Sequence, residues 1–78
     1  MNGIVTIDLH GKNTYQARVA IDAALRRSKG VYRIRIVHGF NHGTELRDMV
    51  RAEYKNARGV IRMDSSEPGA TTLILREF

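Results

Sequence analysis

Twice in this 78-residue chain an apolar, β-like run ends in a histidine and a glycine and gives way to a helical stripe. The first run is Ile4 to Leu9 (IVTIDL), closed by His10-Gly11; the second is Val31 to Val37 (VYRIRIV), closed by His38-Gly39. A strand–helix–strand unit of this length calls for a crossover that lays the two strands parallel, with their carboxyl ends side by side. Ligands of α/β folds bind beyond such ends. The arrangement gathers His10, His38 and His42, the three histidines of the chain, at one crevice together with Asp8.

The periodicities fill in the rest. Val5, Ile7 and Leu9 alternate with Thr6 and Asp8, as one buried strand face requires. Asn13 with Gln16 three residues later has the pattern of a capping box. Ala17, Ala20, Ile21, Ala24 and Leu25 then recur at helical spacing. Arg26, Arg27 and Lys29 crowd the helix end, and Gly30 suits the C′ position. Thr44 is the expected cap of a second helix, with Glu45 in its first turn and Leu46, Met49, Val50 and Tyr54 as its apolar stripe. Val60 to Asp64 reads as a third strand. Pro68-Gly69 suits the centre of a type II turn, and Ala70 to Arg76 returns as a fourth strand.

The order is βαβαββ. The first three strands are expected to run parallel, and the fourth antiparallel to the third as its hairpin partner. Both helices then lie on one face, giving a single α/β (α+β) two-layer sandwich with a four-stranded mixed sheet over residues 1–78. The face towards the helices takes Val5, Ile7, Leu9, Ile34, Ile36, Ile61, Met63, Leu73 and Leu75. The open face takes Thr6, Asp8, Arg33, Arg35, Arg62, Asp64, Thr72, Ile74 and Arg76.

Thirteen basic residues against eight acidic ones give a net charge of +5, and ten of the thirteen are arginine. The planar fork of arginine matches phosphate, so the composition points to a polyanionic partner, most simply DNA or RNA. Cysteine is absent, which excludes disulfides, thiolate metal sites and cysteine catalysis. No apolar run approaches the roughly 20 residues that span a bilayer, and MNGIVTIDLHG lacks the layout of a signal peptide. The expected setting is cytoplasmic, without a membrane partner.

Several residues carry potential chemistry. Asp8 and His10 are two apart, and a carboxylate that orients an imidazole is common in acid–base sites; alternatively Asp8 pairs with Arg35 on the neighbouring strand. His10 and His38 can both move a proton near neutral pH, one as base on a 2′-hydroxyl and the other as acid on the leaving oxygen. A second option is a divalent metal held by the two histidines and Asp8. A structural role for His38, in phase with Ile34 and Ile36, is to close the edge of the core. Gly39, Gly43 and the start of the second helix outline an anion site that Arg47 can clamp. Phe40 either stacks on a base or anchors its loop. Arg33, Arg35, Arg62 and Arg76 either follow a phosphate backbone or pair with acids across the sheet.

These motifs resemble a known family. Ile7-Asp8-Leu9-His10-Gly11 before a helix is similar to the signature of Smr (small MutS-related) domains. Ile36-Val37-His38-Gly39, with Gly43-Thr44-Glu45-Leu46-Arg47, is similar to that family's His-Gly loop and the Leu-Arg that follows it. Pro68-Gly69-Ala70-Thr71 resembles its last hairpin. The likeness covers essentially the whole chain. It implies a fold like the C-terminal domain of translation initiation factor three and an action on nucleic acid, since members include nucleases that nick or cleave DNA or RNA, some of them on the ribosome. The residues it marks are Asp8, His10, His38 and Gly39, with Arg47 part of the same pattern. Where the family commonly has His-Gly-Lys-Gly, this chain has Phe40-Asn41 in the last two places.

The favoured expectation is an endonuclease in which Asp8, His10 and His38 are catalytic. Gly11, Gly39, Phe40, His42, Gly43, Arg47, Arg33 and Arg35 are the expected nucleic-acid contacts. Its alternatives are a non-catalytic module binding RNA, the ribosome or DNA, and a protein-interaction module that docks through the open sheet face or an edge strand.

Overall fold

Four strands and two helices follow one another as β1 (Ile4–Asp8), α1 (Thr14–Arg26), β2 (Arg33–Val37), α2 (Glu45–Glu53), β3 (Arg62–Asp64) and β4 (Ala70–Ile74). The structure, a computed structural model, describes residues 3–39 and 44–76. Phe40, Asn41, His42 and Gly43, to which part of the expected site was assigned, lie outside the described residues.

The sheet order is β1-β2-β4-β3. β1 pairs with β2 in parallel, Ile7 opposite Ile36 and Asp8 opposite Val37. β4 is antiparallel to both β2 and β3. Strands one to three therefore do run in one direction, but β4 inserts between β2 and β3. The second crossover steps over the place that the hairpin later fills, and β3 becomes an outer strand.

Alternation decides which residues the helices cover. Ile34, Ile36 and Leu73, on the two inner strands, are wholly buried, and they pack with Leu9, with Ala17 and Ile21 of α1, and with Met49 and Val50 of α2. Both helices thus cover one face. Val5 and Ile61, expected in the core, are 37% and 57% exposed. One lies on outer strand β1 and the other just before outer strand β3, beyond the strip that the helices cover. Ile74 departs the other way. It lies on the open face, yet is only 1% exposed. Its cross-strand partners are Arg33 and Arg62, and long arginine stems shield apolar surface between them while the charged heads stay in water.

The capping box forms as expected: the Asn13 carboxamide accepts the Gln16 amide at 2.8 Å, and the Gln16 side chain accepts the Asn13 amide at 3.0 Å. Two turns depart from expectation. α1 stops at Arg26, and Gly30 serves the next turn, which the Val31 amide closes onto the Ser28 carbonyl at 2.9 Å. The Glu67–Ala70 turn closes at 3.3 Å, but Gly69 does not take a positive φ, so it is not type II. Among the described residues, no helix is long and apolar enough to cross a membrane.

Candidate functional site

β1 delivers its histidine on a tight turn. The β1–β2 ladder runs one residue past the strand, the Leu9 amide donating to the Val37 carbonyl at 2.9 Å, and the Leu9 side chain drops into the core. The Leu9 carbonyl then accepts the Lys12 amide at 2.9 Å, with Gly11 at φ 77°. Glycine is the residue that takes this left-handed position without strain. His10, beside it, is exposed.

Asp8 organises this turn through the backbone. Its carboxylate accepts the His10 amide at 2.9 Å, so it holds the main chain rather than the imidazole, as Asx turns do. The expected alternative, an Asp8–Arg35 pair, does not form either. Asp8 stands opposite Val37, and Arg35 makes a two-pronged pair with Glu67.

β2 delivers its histidine differently. The amides of His38 and Gly39 both donate to the Gly69 carbonyl, at 3.0 and 2.9 Å. The His38 ring is half-buried, in phase with Ile34 and Ile36 on the helix side. Its Nε2 lies 2.9 Å from the Thr71 hydroxyl and its Nδ1 3.0 Å from the Gly39 carbonyl. The Arg51 Nε–H donates to the same hydroxyl at 3.3 Å. A carbonyl only accepts, so Nδ1 carries a hydrogen; in the neutral form of the ring Nε2 is then the acceptor. The Thr71 hydroxyl takes a bond from Arg51 and gives its own proton to His38. A directed chain runs Arg51 → Thr71 → His38 → Gly39.

Thr71 and Arg51 are the members that the sequence reading missed. Thr71 is wholly buried, opposite Ile36 on the core face of β4. Its signal is a hydroxyl in phase with Leu73, where the pattern calls for an aliphatic residue. Arg51 follows Arg47 at four residues, one turn along the same stripe of α2.

The expected residues divide accordingly. His10 and His38 leave neighbouring parallel strands just past the Asp8–Val37 pair, where adjacent backbones are about 4.8 Å apart. Among the described residues, no three of His, Asp and Glu gather to hold a metal, so the second option for Asp8, His10 and His38, a shared divalent ion, does not form. The Gly39 amide, expected to cradle phosphate, is used by Gly69. Arg33 and Arg35 alternate with Ile34 and Ile36 and point to the face away from His38. Arg47 stands in the first turn of α2, 3.3 Å from Asp48. The Thr44 hydroxyl makes no cap bond and donates to Asp48 at 2.8 Å instead. That bond first, and then Arg47, holds the Asp48 carboxyl below the usual range.

Comparison with known proteins agrees with the fold. A family model described as the Smr domain matches residues 7–74. The crystal structure of the Smr domain of Thermus thermophilus MutS2 matches with a TM-score of 0.81 at 26% identity, over 94% of this chain and 99% of that one. No curated protein matches the chain.

Proposed function

The chain belongs to the Smr domain family, and on that premise we propose that it binds DNA or RNA and cleaves or nicks the phosphodiester backbone at the carboxyl ends of β1 and β2. The observation that carries the reading is the chain of bonds from Arg51 through Thr71 to His38; the exposed His10 follows the strand that pairs in parallel with β2. A ring held in one tautomer is prepared for proton transfer, and a second imidazole on the adjoining strand supplies the complementary step.

On RNA, one histidine takes the proton of the 2′-hydroxyl as that oxygen attacks phosphorus. The other gives a proton to the departing 5′-oxygen, leaving a cyclic phosphate. DNA lacks that hydroxyl, so water must be the nucleophile there. Asp8 acts as a positioning residue through the His10 backbone. Arg47 and Arg51 bring cationic forks to the same end of the domain, where charge builds up on the phosphate oxygens.

A second reading, a module that binds RNA, the ribosome or DNA without cleaving it, has one observation in its favour: both ring nitrogens of His38 already have protein partners. Substrate must displace Thr71 before Nε2 can act. Incubation with single-stranded RNA and with supercoiled plasmid, with and without EDTA, separates the readings. Cleavage that falls about 100-fold or more in both His10→Ala and His38→Ala supports the first, the size expected of a lost acid or base. Binding without cleavage selects the second. No binding at low salt overturns both.

A further inference from the structure

The opposite end of the sheet holds a cavity of about 480 Å³, within the size range of small-molecule pockets. Leu25 of α1, Val31 before β2 and Leu75 after β4 give it an apolar floor, and Arg26, Arg58 and Arg76 give it a cationic rim. All three arginines are exposed. The ion pairs found among the described residues engage Arg18, Arg35 and Arg47 and none of the rim. Three guanidinium groups around one dent repel one another, which is an arrangement that an anion relieves.

We propose that this cavity binds one nucleotide unit of a nucleic-acid strand, with the base against the apolar floor and a phosphate among the arginines. The proposal rests on the reading above only for the nature of the ligand. An inorganic anion would use the rim and leave the floor bare, whereas a nucleotide uses both. Arginine planes stack on bases as well as forking onto phosphate. Carboxylate side chains alone would engage the rim and leave the floor uncovered. Seven residues from Val31, before β2, to His38, after it, span at most about 23 Å at strand rise. A stacked strand at about 3.4 Å per nucleotide therefore needs about seven nucleotides to occupy both ends.

The test is a titration of the ¹⁵N-labelled chain with adenosine 5′-monophosphate, adenosine, inorganic phosphate and an acidic peptide. Saturable shifts are expected at the Ser28, Val31 and Gly59 amides, separate from any at Gly39 and Thr71. Adenosine and phosphate alone bind at least about ten-fold more weakly, and Arg26→Gln/Arg58→Gln weakens the nucleotide by about ten-fold or more. Both arginines are exposed, so the variant stays folded, with only the small loss of the Arg26 charge at the end of α1. The proposal is overturned if the nucleotide binds no better than phosphate, or if its shifts appear only at the His38 end. A tighter acidic peptide also overturns it and makes the cavity a peptide site. Cleavage by the double variant on short oligonucleotides reports separately on the His10–His38 end, so either reading can fail while the other stands.

Discussion

Thr71 shows how much one hydroxyl can organise. It is wholly buried, it answers Arg51, and it orients His38. Thr71→Val keeps the shape and removes both bonds, leaving polar atoms of Arg51 and His38 without this partner; urea unfolding should show a loss of about 1–3 kcal/mol. Thr71→Ser restores the hydroxyl and should recover most of it. A valine variant as stable as the parent would mean that the chain of bonds contributes nothing. Tyr54 is a second test at this scale. Its hydroxyl donates to the Asp22 carboxylate at 2.7 Å, and burial first, then that carboxylate, pushes the phenol well above its usual range. The group therefore remains a donor throughout ordinary pH, and Tyr54→Phe should lower stability by about 1 kcal/mol or more. His10 and His38 were legible in the sequence because each follows a strand. Thr71 and Arg51 were not, because their role depends on β4 pairing beside β2, which no local pattern records.

Among the elements, those governed by local chemistry read most faithfully. The Asn13–Gln16 box depends only on residues three apart, and both of its bonds form. Asn13→Ala should cost about 1 kcal/mol, seen as a lower midpoint of urea unfolding. Gly11→Ala isolates the turn under His10. A Cβ there meets nothing within 4 Å, but φ is +77°, so the penalty of about 1–2 kcal/mol is purely conformational. If that variant leaves stability unchanged, the turn is not held as described. Thr44 shows where local reading stops. Its spacing suits a cap, yet Asp48 one turn on offers its hydroxyl a charged acceptor. Gly30 and Gly69 likewise carry turn chemistry in sequence, but where the flanking elements end decides which turn each one serves.

Across the whole molecule, strand direction was readable and strand order was not. Directions follow from connection lengths, whereas the position of β4 depends on which apolar face it can cover. That position explains why Ile74 is buried, why Ile61 is not, and why Thr71 reaches His38. Charge also acts at this scale. Asp48, Glu53, Asp64 and Glu67 all have carboxyls held below their usual range, by Thr44, Arg18, Ser66 and Arg35 respectively as first cause. Because the folded chain binds protons less readily than the unfolded one, their contribution is full above the ordinary carboxylate pKa of about 4. It is lost as pH falls through the depressed values. The urea midpoint should hold between neutral pH and about 5 and fall below about 4; a midpoint that rises on acidification would contradict these pairings.

The central claim is that the ends of β1 and β2 form one phosphodiester site ordered by the bonds of Thr71. Single-turnover cleavage of a single-stranded RNA under conditions where every variant is folded tests it most directly. The parent should cleave, His38→Ala should fall about 100-fold or more, and Thr71→Val should change the rate at unchanged RNA affinity, with Thr71→Ser restoring the parent rate. Full cleavage by His38→Ala, or a Thr71→Val variant as fast as the parent, would contradict the account.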